Sequence, residues 1–237
     1  MQSLKNVVLV HGAWADGSSW SKIVPLLQTT GLHVACAQIP LSSIADDVAS
    51  TNRTINAQDG PVLLVGHSYG GAVITVAGDN PKVNGLVYIA AFAPDEGETL
   101  GGMAELFGAT PGFSEVRPIA DGYLVLTAKG VIEDFAQDLS WDMKNTMVAT
   151  QAPIQGAILA TKITKAAWHT KPSWFVIADN DRMISPELER ATAKRMNAKT
   201  LSLPTSHVAM LAKPKEVAEF IVDAVASVGS PPLARAC

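Results

Sequence analysis

Ser68 lies between glycines in the run VLLVGHSYGGAV, with an apolar stretch before it and a small-residue, helix-like stretch after it. The pattern Gly66-His67-Ser68-Tyr69-Gly70 is G-x-S-x-G in strand–turn–helix context, and that context suits a nucleophilic serine. The hydroxyl must project above the sheet from a very tight turn. Glycines on both flanks remove side chains that would collide across it. The serine then stands at a helix N-terminus, where amide dipoles favour developing negative charge. A phosphate-binding loop is excluded, because the segment has neither G-K-[ST] nor G-x-G-x-x-G.

A serine nucleophile also needs amides for the oxyanion, a base and an acid. His11-Gly12-Ala13-Trp14 follows the first apolar run, the place from which an oxyanion loop comes. Ala13 is therefore expected to supply one amide and Tyr69, next after the nucleophile, the other. Each donor is worth roughly 3 kcal/mol. His11 is read as holding the loop rather than as catalytic, and Trp14 and Trp20 as core or pocket wall. Of the five histidines, His33 begins a strand, His67 lies inside the turn and cannot fold back onto Ser68, and His169 has no motif around it. His207 lies in the loop LPTSHVAML before the last helix, and is the expected base. The acid is sought in FVIADNDRMISPE. Asp181, further into the loop, is preferred over Asp179. Asp95 is a weaker candidate after the fourth strand. The acid orients the imidazole and stabilises its charged form.

Six short apolar runs must carry these residues: 6–10, 32–37, 61–65, 83–90, 173–178 and 199–203. Helical patterns over 18–30, 42–58, 69–78, 186–196 and 215–228 separate them. Runs without strict alternation, joined through helices, predict a parallel sheet buried on both faces. The fold class is α/β, doubly wound. Between 94 and 171 the rhythm breaks into Gly and Pro clusters, a hairpin around 120–126 and helical stretches over 131–150. Such a length is too great for a plain connection. The expected domains are a core of 1–93 with 172–228, a cap insertion at 94–171 and a flexible tail at 229–237.

Composition excludes other classes. Lys and Arg number 18 against 22 Asp and Glu, for a net charge of −4; nucleic acid would need concentrated positive charge. There is no basic run for a membrane surface and no stretch near the ~18 apolar residues of a spanning helix. The short apolar run at Val7 to Val10 does not make a secretory signal, so the default location is cytoplasmic. Cys36 and Cys237 show no zinc-ligand spacing. Cys36 reads as a small core residue and a disulfide with the terminal Cys237 is not expected.

The stretches VLVHGAWADGSSW, LVGHSYGG, NDRMISPELERATAKRM and SHVAMLAKP together resemble the α/β-hydrolase superfamily over nearly the whole chain. More narrowly they resemble the branch of small bacterial esterases, plant methyl-ester esterases and hydroxynitrile lyases. The resemblance implies a Ser68–His207–Asp181 triad, oxyanion amides from Ala13 and Tyr69, a helical cap and no cofactor. It also implies a sheet lacking the family's first two strands. The expected substrate is a small or medium carboxylic ester held in a mainly apolar pocket. Trp14, Phe92, Phe107, Phe113, Trp141 and Met210 are candidates for its wall. A lyase acting at the same site, which in this branch uses a threonine near the oxyanion loop and a lysine, and a non-catalytic small-ligand receptor are the alternatives. Ala13 and Trp14 stand in the oxyanion loop, and Lys213 lies too far along to serve, so hydrolysis is favoured. No metal, nucleic-acid or membrane partner is expected, and a homodimer is left open.

Overall fold

The computed structural model describes residues 4–229. Six strands, β1 (Asn6–Val10), β2 (His33–Ala37), β3 (Val62–His67), β4 (Val83–Ile89), β8 (Ser173–Ala178) and β9 (Lys199–Leu203), form one parallel sheet in the order β2-β1-β3-β4-β8-β9. The inner strands β1, β3 and β8 are buried at every position, whereas the edge strands β2 and β9 are largely half-buried or exposed. This is why the inner strands read as continuous apolar runs.

Because strand side chains alternate sides, each inner strand feeds two cores. Val8, Val10, Leu64, Tyr88 and Phe175 face one side, with α2 (Ile44–Asn56), α3 (Tyr69–Ala77) and α7 (Pro186–Arg195). Val7, Leu9, Leu63, Val65, Val87 and Trp174 face the other, with α1 (Ile23–Thr29) and α9 (Pro214–Gly229). The helix expected over 18–30 is split into a 3-10 turn, Gly17–Trp20, and α1. Pro25 lacks an N–H and fits only the first turn of a helix, so the α-helix starts just before it. The last helix ends at Gly229; the rest of the expected tail lies outside the described residues.

Residues 94–171 carry α4 (Leu100–Glu105), a three-stranded antiparallel sheet of β5 (Val116–Pro118), β6 (Tyr123–Leu126) and β7 (Ile154–Gln155), then α5 (Ala128–Gly130) running into a π turn, Val131–Phe135, and α6 (Trp141–Thr150). The hairpin begins earlier than expected, because three-residue β5 ends in Pro118 and is too short to show periodicity. The insertion is thus mixed rather than purely helical. A short α8 (Ala209–Ala212) precedes α9. Among the described residues no helix is long and apolar enough to cross a membrane.

Candidate active site

β3 delivers Ser68 straight into α3, for which Ser68 is the N-cap residue at φ 55°, ψ −124°. Non-glycine residues occupy that region at a cost of about 1–3 kcal/mol. The surroundings hold the turn: the Ser68 amide donates to the Ile89 carbonyl (3.1 Å), while the Ser68 carbonyl accepts from Gly71 (3.0 Å) and Phe92 (3.2 Å). A Cβ on Gly70 would lie 2.6 Å from the carbonyls of Val10 and His11, and one on Gly12 would lie 2.7 Å from the Ser68 Cβ. The glycines are needed so that α3, β1 and the loop after it can meet at the serine.

His207 Nε2 lies 2.8 Å from Ser68 Oγ, and His207 Nδ1 lies 2.6 Å from Asp181 Oδ2. All three residues are buried. Asp181 Oδ1 accepts from the amides of Met183 (2.6 Å) and Ile184 (3.0 Å), which fixes the carboxylate plane toward the imidazole. Asp179 instead pairs with Arg190 at the surface, and Asp95 pairs with the half-exposed His169 (2.8 Å). The structure therefore joins Ser68, His207 and Asp181 in one chain and leaves the other two acids out. The choice of Asp181 is geometric: Asp179 immediately follows β8, and two further residues of loop are needed to reach under His207.

Sequence reasoning missed four contributors. Glu189 of α7 is fully buried; its Oε2 accepts from the Ala178 amide (2.9 Å), and its Oε1 has no hydrogen-bond partner among the described residues. Burial first, then the adjacent Asp181 charge, push it well above the usual carboxylate range. The buried carboxyl is therefore held toward its neutral form. His67 does not reach Ser68 Oγ, but it supports His207. Its Nε2–H donates to the His207 carbonyl (2.9 Å), and burial lowers its pKa so that the ring stays neutral. Phe135 of the π turn packs edge-on against His207, ring centroids 5.0 Å apart. Asp47 of α2 accepts from the Tyr69 hydroxyl through Oδ2 and from the Leu41 amide through Oδ1 (2.8 Å). A polar residue inside an amphipathic helix, as at Asp47 and Glu189, was the only available signal.

The loop after β1 runs beside Ser68. His11 accepts from the Ile39 amide at Nε2 (3.1 Å), so Nδ1 carries the proton and donates to the Gly12 carbonyl (2.9 Å). Burial lowers its pKa. The ring thus ties the loop to the segment after β2. Among the described residues, the Ala13 and Tyr69 amides donate to no protein acceptor, and both residues line the same cavity as Ser68 and His207.

The family model described as the alpha/beta hydrolase family matches residues 7–220. The chain belongs to this family. It is 23% identical to probable hydrolase R7 of Phoma sp., over 92% of this chain and 96% of that one. It is 25% identical to methylesterase 8 of Arabidopsis thaliana, over 78% and 76%. The crystal structure of a pyrethroid hydrolase from Sphingobium faniae JZ-2 superposes with a TM-score of 0.82 at 22% identity, covering 95% of this chain and 98% of that one. At that identity the superposition speaks for the fold.

The cavity of this α/β hydrolase at Ser68 is walled by Trp14, Phe92, Leu100, Phe113, Leu124, Ile154 and their neighbours. Of the expected wall residues, Trp14, Phe92 and Phe113 are there. Phe107 and Trp141 are exposed, at 39% and 62%, and Met210 belongs to the core behind the sheet. Lys213 pairs with Glu216 at the surface (3.6 Å) and does not line the cavity. The 94–171 segment also grips the two loops of the site. Asp134 binds Arg182 Nε (2.6 Å) next to Asp181, Gln137 Nε2 donates to the Asn180 carbonyl (2.7 Å), and Asp138 accepts from the Ser206 amide next to His207 (2.8 Å). Among the described residues no group of three or more His, Cys, Asp or Glu could hold a metal ion.

Proposed function

We propose that the protein is a serine hydrolase that cleaves a carboxylic ester through an acyl-enzyme on Ser68. The observation that carries this reading is the closed chain Ser68 Oγ–His207 Nε2 at 2.8 Å and His207 Nδ1–Asp181 at 2.6 Å. His207 takes the Ser68 proton as Oγ attacks the ester carbon. The tetrahedral oxyanion is held by the amides of Ala13 and Tyr69. His207 next protonates the leaving alcohol, then activates water to release the acid. Asp181 keeps Nδ1 protonated and offsets the imidazolium charge. The names of the relatives, a hydrolase and a methylesterase, support the same class. No cofactor enters any step.

The test is covalent. A fluorophosphonate should add once to the wild type, seen in the intact mass, and not to Ser68→Ala. No adduct on the wild type, or an equal adduct on the variant, removes Ser68 as nucleophile. The lyase alternative finds no lysine at the cavity wall. Cyanohydrin cleavage exceeding ester cleavage would establish it.

A further inference from the structure

The cavity at Ser68 has room for only about 30 Å³, while a neighbouring cavity of about 360 Å³ shares Phe92, Phe113, Met183 and Ile184 with it. We propose that this second cavity binds one large, uncharged, apolar arm of the ester, and that the arm reaches Ser68 past Phe113 and Met183. The inference rests on the ester-hydrolase reading above and specifies its substrate class.

A volume of 30 Å³ holds little more than water, so no ester of ordinary size fits at Ser68 unless its wall opens. The two shared side chains that can move are those of Phe113, which is half-buried, and Met183. A methionine has three rotatable bonds and repacks at low cost. The Met183 backbone stays in place, because its amide is bound to Asp181 and its carbonyl accepts from the Thr110 hydroxyl (2.8 Å). The thioether can thus swing without disturbing the acid.

The chemistry of the second cavity defines the arm. Gly101, Ala104, Ala109 and Leu188 complete an apolar wall with Phe92 and Phe113. Its two hydroxyls are already engaged: Thr110 donates to Met183, and Ser185 donates to Glu187 (2.6 Å). A polar arm would lose water and gain no partner. The remaining charged group is the exposed carboxylate of Glu105, which repels an anionic arm. A third cavity, of about 380 Å³, touches the site only through Trp14. That wall is pinned, since the Trp14 indole donates to the Leu124 carbonyl (3.1 Å).

The experiment compares ethyl acetate, ethyl naphthylacetate and naphthylmethyl acetate by acid release, in the wild type and in Ala104→Trp. Ala104 sits half-buried on α4 facing the second cavity, so the indole fills it. The wild type should favour at least one naphthyl ester over ethyl acetate in kcat/KM. Which one is favoured tells whether the acyl or the alcohol side uses the cavity. Ala104→Trp should cut that preference by about tenfold or more, the usual scale of pocket discrimination. Ala109→Trp, at another position of the cavity lining, should do the same and covers a folding failure of the first variant. A preference unchanged in the folded variants overturns the proposal. So do parallel losses on all three esters, or a wild type that favours ethyl acetate. Failure to cleave any of the three esters, with no fluorophosphonate adduct, sinks the hydrolase reading itself and is a distinct outcome.

Discussion

Asp47 gives the sharpest test of the physical account, because it places a titratable carboxyl in the interior beside Tyr69, the residue that follows Ser68. Burial pushes its pKa from an ordinary 3.8 up to about 6, while the Tyr69 hydroxyl and the Leu41 amide pull it down less strongly. The folded chain thus holds the proton about two powers of ten more tightly than the unfolded chain, or about 3 kcal/mol. Below pH 3.8 both states are protonated and nothing is lost. Between 3.8 and about 6 the unfolded chain releases the proton first, so stability falls as pH rises, and above that window the full deficit is present. Asp47→Asn cannot ionise, yet it keeps an acceptor for Leu41 and offers an N–H to the Tyr69 oxygen. Urea unfolding of both proteins across the window should show equal stability at its acid end. At about pH 8 the variant should be the more stable, by up to about 3 kcal/mol, or several degrees in Tm for a chain of this size. A gain of the same size at every pH would mean altered packing rather than titration. A loss at alkaline pH would refute the reasoning, since the charged form would then be the preferred one.

Substitutions at three further positions probe the surroundings of Asp181. Asp181→Asn should lower kcat by about four powers of ten, the loss expected when a triad carboxylate becomes an amide and the wrong imidazole tautomer is favoured. Asp179→Asn, which breaks only a surface ion pair with Arg190, should stay within about threefold; steady-state ester hydrolysis separates the two. Glu189→Gln is neutral and retains an acceptor for the Ala178 amide, so kcat and stability should match the wild type. Glu189→Leu removes that acceptor, costing about 1–3 kcal/mol for the orphaned amide. Urea unfolding reads that loss; equal stability of the two variants would show that Glu189 only fills space.

Much of the fold was legible because the buried strands of a parallel sheet are short apolar runs, visible one by one in the chain. The insertion was harder. Its strands are two to four residues long, below the length at which alternation can be counted. The π turn, Val131–Phe135, mimics the start of an ordinary helix in its pattern while setting Phe135 against His207. Phe107 and Trp141 look like pocket residues by type, yet they point to solvent; aromatic character alone does not say which side of a short helix or loop faces inward.

By itself the sequence determined Ser68 at its turn, the glycines that let Gly12 and Gly70 pass close to neighbouring backbone, and the chain order that singles out His207. These signals are local, because the strand, the tight turn and the helix that shape each one are contiguous. The tertiary structure decided what local pattern leaves open. Asp181 rather than Asp179 meets His207 because the loop after β8 turns it beneath the ring. Glu189, His67 and Asp47 come to the site from other elements, and their partners lie 11, 140 and 22 residues away along the chain. A buried polar side chain declares its role only when its partner is in place, since the cost of burying it is met by a hydrogen bond that the sequence does not display.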